Sequence, residues 1–386
     1  MAVFYPIVKK VLAGKVEPKD YNFYDYDGTL LYSYTEAELA SLAALPVLPK
    51  HEGLTCQGWN WTLDELKAEG KETDVGAIYT TDDGATRLYI TTHFEPHTVS
   101  LYYIQSVAGA VSVDWGDGSA PTSSNSTTVS GLSHTYDAIG DYVITLKPIS
   151  GTLSLGTGGS GTSILGNSAG SIMLKKVEVG ATTNFSNYAF TNCKFLRSIA
   201  FDWTEAFKSA RYVFNNCEGL KHINLPRSDW SSYWLQSAGY VRVVLSGATA
   251  VINDRVFDGC KSLEHIILPS NLVTLGPYNF NGATRLCSIA TPRSLTILNG
   301  NLFYGCSSLQ KVVSQGNITA IAGYTFYNVS NLGILDLTAC TTVPTIQTTS
   351  FSGYPSGFRI YVPAALYDEW IVATNWAALA DYIVAK

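Results

Sequence analysis

Phenylalanine recurs along the second half of the chain, and each Phe is followed by apolar residues at fixed distances. Cys stands three positions after the Phe, Leu six after it and Ile or Val nine after it, often with Leu and Pro at eleven and twelve. From Phe257 to Phe326 the repeat length is 23 residues. The repeats start at Phe190, Phe214, Phe257, Phe280, Phe303 and Phe326, with Trp234 expected in the gap and a final turn at Phe351. So short a unit cannot bury an apolar face alone, which predicts that successive units stack into a solenoid.

A second short apolar run lies between each main run and the next Phe. Examples are Val273–Leu275, Leu295–Ile297 and Ile318–Ile321. Short runs of this composition favour strands, so each coil is expected to contain two short strands and little helix. A degenerate first coil is predicted from three further apolar residues, Leu174, Val177 and Val179.

These repeats resemble the BspA-like leucine-rich repeat family, in which a unit reads roughly AFxGCxxLxxIxLPxxVxxIG. The resemblance covers residues 168–363 and implies a leucine-rich-repeat β-solenoid. Residues 364–386 look like the helical cap that closes such arrays, because a solenoid must shield its exposed end. Four side chains of this segment could cover the last coil: Leu366, Trp370, Trp376 and Tyr382.

The middle of the chain carries different motifs. The sequence WGDG at Trp115–Gly118, HTY at His134–Tyr136 and the alternating run Gly140–Leu146 resemble the PKD family of immunoglobulin-like domains. The resemblance implies a β-sandwich over residues 85–150, in which Asp114 and Asp117 bond the amides of a glycine turn and Tyr142, Ile144 and Leu146 alternate inward. A calcium site at the two aspartates is the disfavoured alternative. Residues 151–167, rich in Gly and Ser, are expected to form a linker.

Residues 1–80 are predicted to form a small α+β attachment segment, with helices near Thr35–Leu45 and Leu63–Glu69. Asp25 and Asp27 stand in an Asp-x-Asp-Gly-Thr motif that resembles the nucleophile motif of haloacid-dehalogenase-type phosphatases. Such an enzyme also needs a parallel sheet that brings together a Ser or Thr, a Lys and further acids, and the sequence has no room for that sheet. The motif is therefore interpreted as a turn after a half-exposed strand at residues 21–26, and no catalytic residues are predicted.

The segment at residues 20–66 also resembles N-terminal segments of tail-associated structural proteins of phages and prophages of gut Gram-positive bacteria. This resemblance rests on the spacing of aromatic residues and glycines, as in YDGTLLYSYT and GLTCQGWNW. It implies that the segment attaches the chain to a particle.

Composition narrows the class of function. The formal net charge is −6 and only 15% of residues are charged, which argues against a nucleic-acid partner. No apolar run is long enough for a membrane span, and no signal peptide is recognised at the N-terminus. The seven cysteines are predicted to remain thiols, four of them in a core ladder at Cys193, Cys217, Cys260 and Cys306. Zinc sites need ligands paired at closer spacing, so no metal and no cofactor are predicted.

The strands of the solenoid should present the residues eight and ten positions after each Phe to the outside, because side chains alternate across a strand. Position ten is apolar in four consecutive coils, and an exposed apolar stripe suggests a contact surface. The candidate ligand-binding residues are His222, Arg242, Val244, His265, Ile267, Ala290, Lys311 and Val313. Two alternatives stay open: β-branched residues simply favour strands, or another domain covers this face.

The sequence therefore predicts a mainly β, non-enzymatic recognition or adhesion protein. The favoured interpretation is a phage or prophage tail-associated receptor-binding protein on the virion surface, and the alternative is a bacterial cell-surface or secreted adhesin. The expected partners are a host cell-surface protein or glycan, other tail or virion proteins and a second copy of the chain in a homo-oligomer.

Overall fold

The computed structural model describes residues 18–69, 72–93, 97–105, 110–125, 130–156, 161, 163–166, 173–202, 210–221, 231–245 and 250–386. The N-terminal domain is a four-stranded sheet in the order β2-β1-β4-β3 with two short helices. Its elements are β1 (Tyr21–Tyr24), β2 (Leu30–Tyr34), α1 (Glu36–Ser41), β3 (Leu54–Trp59), α2 (Leu63–Glu69) and β4 (Thr73–Thr81).

Both predicted helices are present, although α1 is shorter than expected. Thr35 caps α1 by accepting a hydrogen bond from the backbone N–H of Glu38, whose carboxylate accepts one from the N–H of Thr35. The helix ends where Leu42 adopts an extended backbone. This pairing is a capping box, which satisfies N–H groups that have no partner inside the helix.

The expectation that residues 21–26 form a half-exposed strand is wrong. Strand β1 is buried throughout, because it lies inside the sheet and both of its faces are covered. Tyr21 and Phe23 belong to an apolar cluster that contains helical residues of α1 and α2. On the other face, Tyr26 belongs to a cluster with Ala200 of the repeat region.

Two further sheets face each other in the middle of the chain. Their strands are β5 (Thr86–Thr91), β6 (His97–Gln105), β7 (Val111–Asp114), β8 (Thr122–Ser124), β9 (Ser130–Tyr136), β10 (Asp141–Pro148), β11 (Leu153–Leu155), β12 (Met173–Glu178), β13 (Thr183–Phe185) and β14 (Ser198–Ala200). The strand orders are β14-β12-β5-β10-β7-β8 and β13-β11-β6-β9. Apolar residues of both sheets share one core around the fully buried Trp115.

The turn that follows β7 is built as its sequence predicts. The carboxylate of Asp114 accepts a hydrogen bond from the N–H of Gly116 at 2.9 Å, and that of Asp117 accepts one from the N–H of Ser119 at 3.0 Å. The His134 ring stacks on Trp115, with 5.0 Å between ring centroids. The WGDG and HTY motifs thus lie in contact with each other. The assignment of this region to the PKD family remains a prediction.

These two sheets continue into the repeats. Strand β12 pairs antiparallel with β5 and parallel with β14. Strand β11 pairs antiparallel with β6 and parallel with β13. The structure differs from the linker expected at residues 151–167. Within this segment, Leu153–Leu155 form a strand of a sheet, and Ile164 and Leu165 are fully buried. The two-sheet region thus supplies the first surface on which the repeats stack.

The repeats form a series of stacked coils with two main columns of parallel strands. The first column contains β15 (Arg242–Val244), β17 (His265–Ile267), β19 (Ser288–Thr291), β21 (Lys311–Ser314), β24 (Ile334–Asp336) and β27 (Arg359–Val362). The second contains β16 (Val251–Ile252), β18 (Thr274–Leu275), β20 (Ile297–Leu298), β22 (Ala320–Ile321) and β25 (Thr345–Ile346). A third, short pair joins β23 (Phe326–Tyr327) to β26 (Phe351–Ser352). The predicted two strands per coil are confirmed for this part of the chain.

The predicted phenylalanine spine is also confirmed. Phe257, Phe280, Phe303 and Phe326 are at most 1% exposed, and consecutive rings stack with centroids 5.9, 5.7 and 5.4 Å apart. Offset stacking of aromatic rings adds to the free energy gained by burying them.

One position of the repeat alignment needs correction. The N–H of Phe214 donates to the carbonyl of Trp234, and the N–H of Leu235 donates to the carbonyl of Val256. In the regular coils the N–H of each Phe donates to the residue before the next Phe, as from Phe280 to Leu302. Leu235, and not Trp234, therefore occupies the Phe position, because this coil is shorter than 23 residues.

The buried cysteines fill one column of the core. The thiols of Cys217, Cys260 and Cys306 donate to backbone carbonyls of the preceding coil, at 3.1, 3.1 and 2.9 Å. All seven cysteines are free thiols, as predicted. Burial raises the pKa of Cys193, Cys260 and Cys306 to about 12. These side chains therefore act as small, protonated core residues.

The C-terminal segment closes the solenoid with less helix than predicted. It contains two 3-10 turns, Ala364–Leu366 and Ala377–Tyr382, and one helical turn, α3 (Tyr367–Trp370). Its last strand, β28 (Ile383–Ala385), pairs with β27 and extends the first column. Trp376 is fully buried, and its indole N–H donates to the carbonyl of Pro344 at 2.6 Å.

Candidate functional site

The outer face of the first strand column is the surface that the sequence selects. We call this the strand face; it consists of the outward residues of β14, β15, β17, β19, β21, β24 and β27. The register pairs Arg242 with His265, and Ser288 with Lys311. Inward residues such as Val312 are buried, whereas Lys311 lies exposed beside it. The predicted alternation across these strands is confirmed.

The N-terminal domain covers one half of the strand face. The Arg242 guanidinium lies 2.5 Å from the carboxylate of Glu72 and 3.2 Å from that of Asp74. Burial acts to lower the pKa of Arg242, but the carboxylates of Asp74 and Glu72 outweigh it, so its pKa is raised. The sequence left open that another domain covers this face. At Arg242 it does.

Apolar and polar contacts extend the same interface toward the first coil. Ala200, at position ten of its repeat, packs in a cluster with Tyr26, Ala77 and Tyr79 of the N-terminal domain. The backbone N–H of Thr81 donates to the carbonyl of Val179. Side-chain packing and backbone pairing thus fix this domain on the repeats.

A buried acid at the junction of the domains is held by two partners. Glu178 is 4% exposed, forms a 2.6 Å ion pair with Lys176 and accepts a 2.8 Å hydrogen bond from the hydroxyl of Tyr89. The Lys176 ammonium also lies 4.7 Å from the ring centroid of Tyr89 and 5.6 Å from that of Tyr26. A buried carboxylate needs such compensation, so the network favours one arrangement of the three domains.

The candidate residues fall on both sides of the interface boundary. Arg242 is half-buried under the N-terminal domain, and Val244 is only 8% exposed. His265 lies at the boundary, where burial, followed by the charge of Arg242, lowers its pKa. Its Nε2 atom is buried and makes no hydrogen bond. His222 lies outside the described residues.

The other half of the strand face is open. Ala290 and Lys311 are exposed, and Ile267 and Val313 are half-buried. Two residues of the open half were missed by the sequence reasoning because the final turn diverges from the repeat template. They are Arg359, exposed, and Tyr361, half-buried. Strand pairing places Arg359 beside Ile334 and Tyr361 beside Asp336 in the same two outward columns.

A column of tyrosines runs along a different side of the solenoid. Tyr188 stacks on Tyr212 at 4.6 Å and Tyr212 on Tyr233 at 4.4 Å, while the Arg255 guanidinium lies 3.7 Å from the ring centroid of Tyr278. All five residues have φ near +60°, where a side chain is strained. The ring faces of Tyr188, Tyr212 and Tyr233 contact one another, so packing between coils accounts for this part of the column.

Three other tyrosines form a surface cluster further along the solenoid. Tyr304 stacks on Tyr327 at 5.3 Å, and Tyr324 is inclined to Tyr327 and 44% exposed. Tyr324 therefore keeps an accessible ring.

The phosphatase-like motif forms a hairpin turn. The carboxylate of Asp25 accepts a 2.8 Å hydrogen bond from the N–H of Tyr26 and lies 2.8 Å from Nε2 of His51. Burial raises its pKa. Strands β1 and β2 flank the turn as an antiparallel pair, which is not the parallel arrangement that the phosphatase fold requires. Among the described residues, no group of three or more His, Cys, Asp or Glu is placed to hold a metal ion.

No helix in the described part of the chain is long and apolar enough to cross a membrane.

Comparison with known proteins supports the repeat assignment. Residues 162–238 and 231–356 match the family described as "BspA type Leucine rich repeat region (6 copies)". No curated protein matches the chain. A solved leucine-rich repeat protein from Bacteroides ovatus is similar over 52% of this chain, with 21% identity and a TM-score of 0.41. The similar region spans 58% of that protein's chain.

Proposed function

Because the chain belongs to the BspA-type leucine-rich repeat family, we propose that it is a non-enzymatic adhesion protein that binds a cell-surface partner through the open half of its strand face. Leucine-rich repeats are typically protein-interaction modules, and stacked repeats offer an extended surface with little helix to obstruct it. The observation that supports this choice is the exposure of Ala290 and Lys311 next to the apolar Val313. An apolar stripe that no other part of the described chain covers is a feature of contact surfaces.

Two settings would use this surface. In a phage or prophage tail, residues 1–80 would attach the chain to the particle and the repeats would contact the host. On a bacterial cell, the same chain would act as a surface or secreted adhesin. The interface at Arg242 supports a fixed geometry in both settings, because it holds the N-terminal domain against the repeats. Tail or baseplate genes beside the coding sequence would select the first setting.

Binding of the labelled full chain to intact gut bacterial cells tests the proposal. The variant Ala290→Arg puts a long charged side chain in the centre of the open half and is expected to weaken binding at least about tenfold, or 1.4 kcal/mol. Thr296→Arg is the matched control, because Thr296 is also exposed but lies outside the strand face. Equal binding by both variants would exclude the strand face as the adhesive surface.

A further inference from the structure

The N-terminal domain occupies its half of the strand face through residues of β4 and the residue before this strand. Glu72 and Asp74 supply carboxylates to Arg242, which strand pairing places in the same outward column as His265. Ala77 and Tyr79, further along the same strand β4, supply apolar contacts to Ala200 in the neighbouring column. Strand β4 and the residue before it thus present acidic groups to the outward column of Arg242 and apolar groups to the outward column of Ala200.

The open half repeats this chemistry. Lys311 and Arg359 stand in the column of Arg242, and Ala290 and Val313 stand in the column of Ala200. Lys311 forms no ion pair with any described residue, and the Arg359 guanidinium donates only to carbonyls of its own loop, at Ser356 and Phe358. Strands spaced by about 4.8 Å place Lys311 roughly 14 Å from Arg242 and Arg359 roughly 10 Å beyond it. Two cations on an otherwise acidic chain therefore face solvent beside an apolar stripe.

We infer that the open half binds an acidic protein segment in extended conformation, in the same mode in which β4 binds the covered half. The inference rests on the proposed function and names the chemistry of the partner. Charge complementarity requires carboxylates opposite Lys311 and Arg359, and the apolar column requires small or apolar side chains between them. A protein segment supplies both, whereas an acidic glycan would satisfy the cations and leave Ala290 and Val313 uncovered. The surface is continuous with the interface that the N-terminal domain already forms.

The test uses the full chain and a fluorescent peptide of residues 72–81, ETDVGAIYTT, which carries the natural acidic and apolar groups. Fluorescence anisotropy should show saturable binding with a dissociation constant of about 1 mM or below. A peptide with Glu72→Gln and Asp74→Asn should bind at least about fivefold more weakly, and about 0.3 M salt should have a similar effect. The double variant Lys311→Glu with Arg359→Glu should lose binding of the acidic peptide.

The control is Lys261→Glu with Arg293→Glu, which reverses two exposed cations outside the strand face and should leave the affinity unchanged. Three results would overturn the inference: no saturable peptide binding, equal binding of the acid and amide peptides, or equal loss in the control. Tighter, Lys311-dependent binding of polysialic acid than of the peptide would assign the surface to a glycan and overturn it also. If the chain bound the peptide but did not bind cells, the adhesive function would be rejected. The inference that the open half binds an acidic protein segment would stand.

Discussion

The Nε atom of Arg242 lies 3.2 Å from a carboxylate oxygen of Asp74, although 168 residues separate them in the chain. This ion pair, with Glu72 as the second acid, joins the N-terminal domain to the solenoid. It also divides the candidate surface into a covered and an open half.

Replacing Arg242 with Gln should weaken the attachment of the N-terminal domain. The change leaves two carboxylates without their cation in a partly buried site, at a cost of about 2–3 kcal/mol. Hydrogen exchange of the β4 amides should accelerate, while that of the phenylalanine spine should not. Lys175→Gln is the control, because the Lys175–Asp141 pair is largely exposed and should contribute less than about 1 kcal/mol. Unchanged exchange in β4 would show that apolar packing alone fixes the domain.

The glycine turn after β7 offers a comparison of two neighbouring positions. Gly116 and Gly118 both have positive φ, so alanine is strained at each by about 1 kcal/mol. At Gly116 a Cβ atom would also lie 2.5 Å from the carbonyl oxygen of Val143, whereas at Gly118 it would meet nothing within 4 Å. Thermal unfolding should show a clearly larger loss of stability for Gly116→Ala. Equal losses would contradict the close approach of β10 to this turn.

The phenylalanine spine predicts that a buried phenylalanine contributes more to stability than an exposed one. Phe303→Ala empties a fully buried site between two stacked rings and should lower the free energy of unfolding by about 3–5 kcal/mol. Phe195→Ala removes a ring that is 43% exposed and should cost less than about 1 kcal/mol. Chemical denaturation monitored by circular dichroism measures both. A small effect at Phe303 would be incompatible with one continuous core.

The buried thiols predict that the protein loses stability at alkaline pH. Burial raises the pKa of Cys193, Cys260 and Cys306 from 9.0 to about 12. The thiol pKa values are higher in the folded state than in the unfolded state. The stability contributed by the buried, protonated thiols is therefore complete below pH 9 and is lost as the pH rises toward 12. Cys56 is exposed and should react with a thiol reagent at once in the native protein, whereas the three buried thiols should react only on unfolding. Cys56→Ser should remove the contribution of Cys56 to the fast phase and leave the half-buried Cys287 as the next thiol to react.

The second half of the fold could be predicted from residue spacing alone. Stacked coils place each repeat position in one column, so an apolar period in the sequence becomes a core and the residues between become a surface. Residue spacing predicted the spine, the paired strands and the cysteine ladder. It failed at Trp234, because a shorter coil moves Leu235 into the column. It also missed Arg359 and Tyr361, since they lie in a turn that diverges from the template.

Local patterns determined which elements this sequence forms: the coils, the glycine turn at Gly116 and the capping box at Thr35. The tertiary structure alone decided that the supposed linker strand Leu153–Leu155 joins a sheet, that β1 is covered on both faces and that Arg242 is paired and not free. The physical reason is how far apart in the sequence the contacting residues lie. Repeat periods and turns are fixed by residues a few positions apart, whereas the packing of one domain on another depends on surfaces whose partners the sequence does not mark.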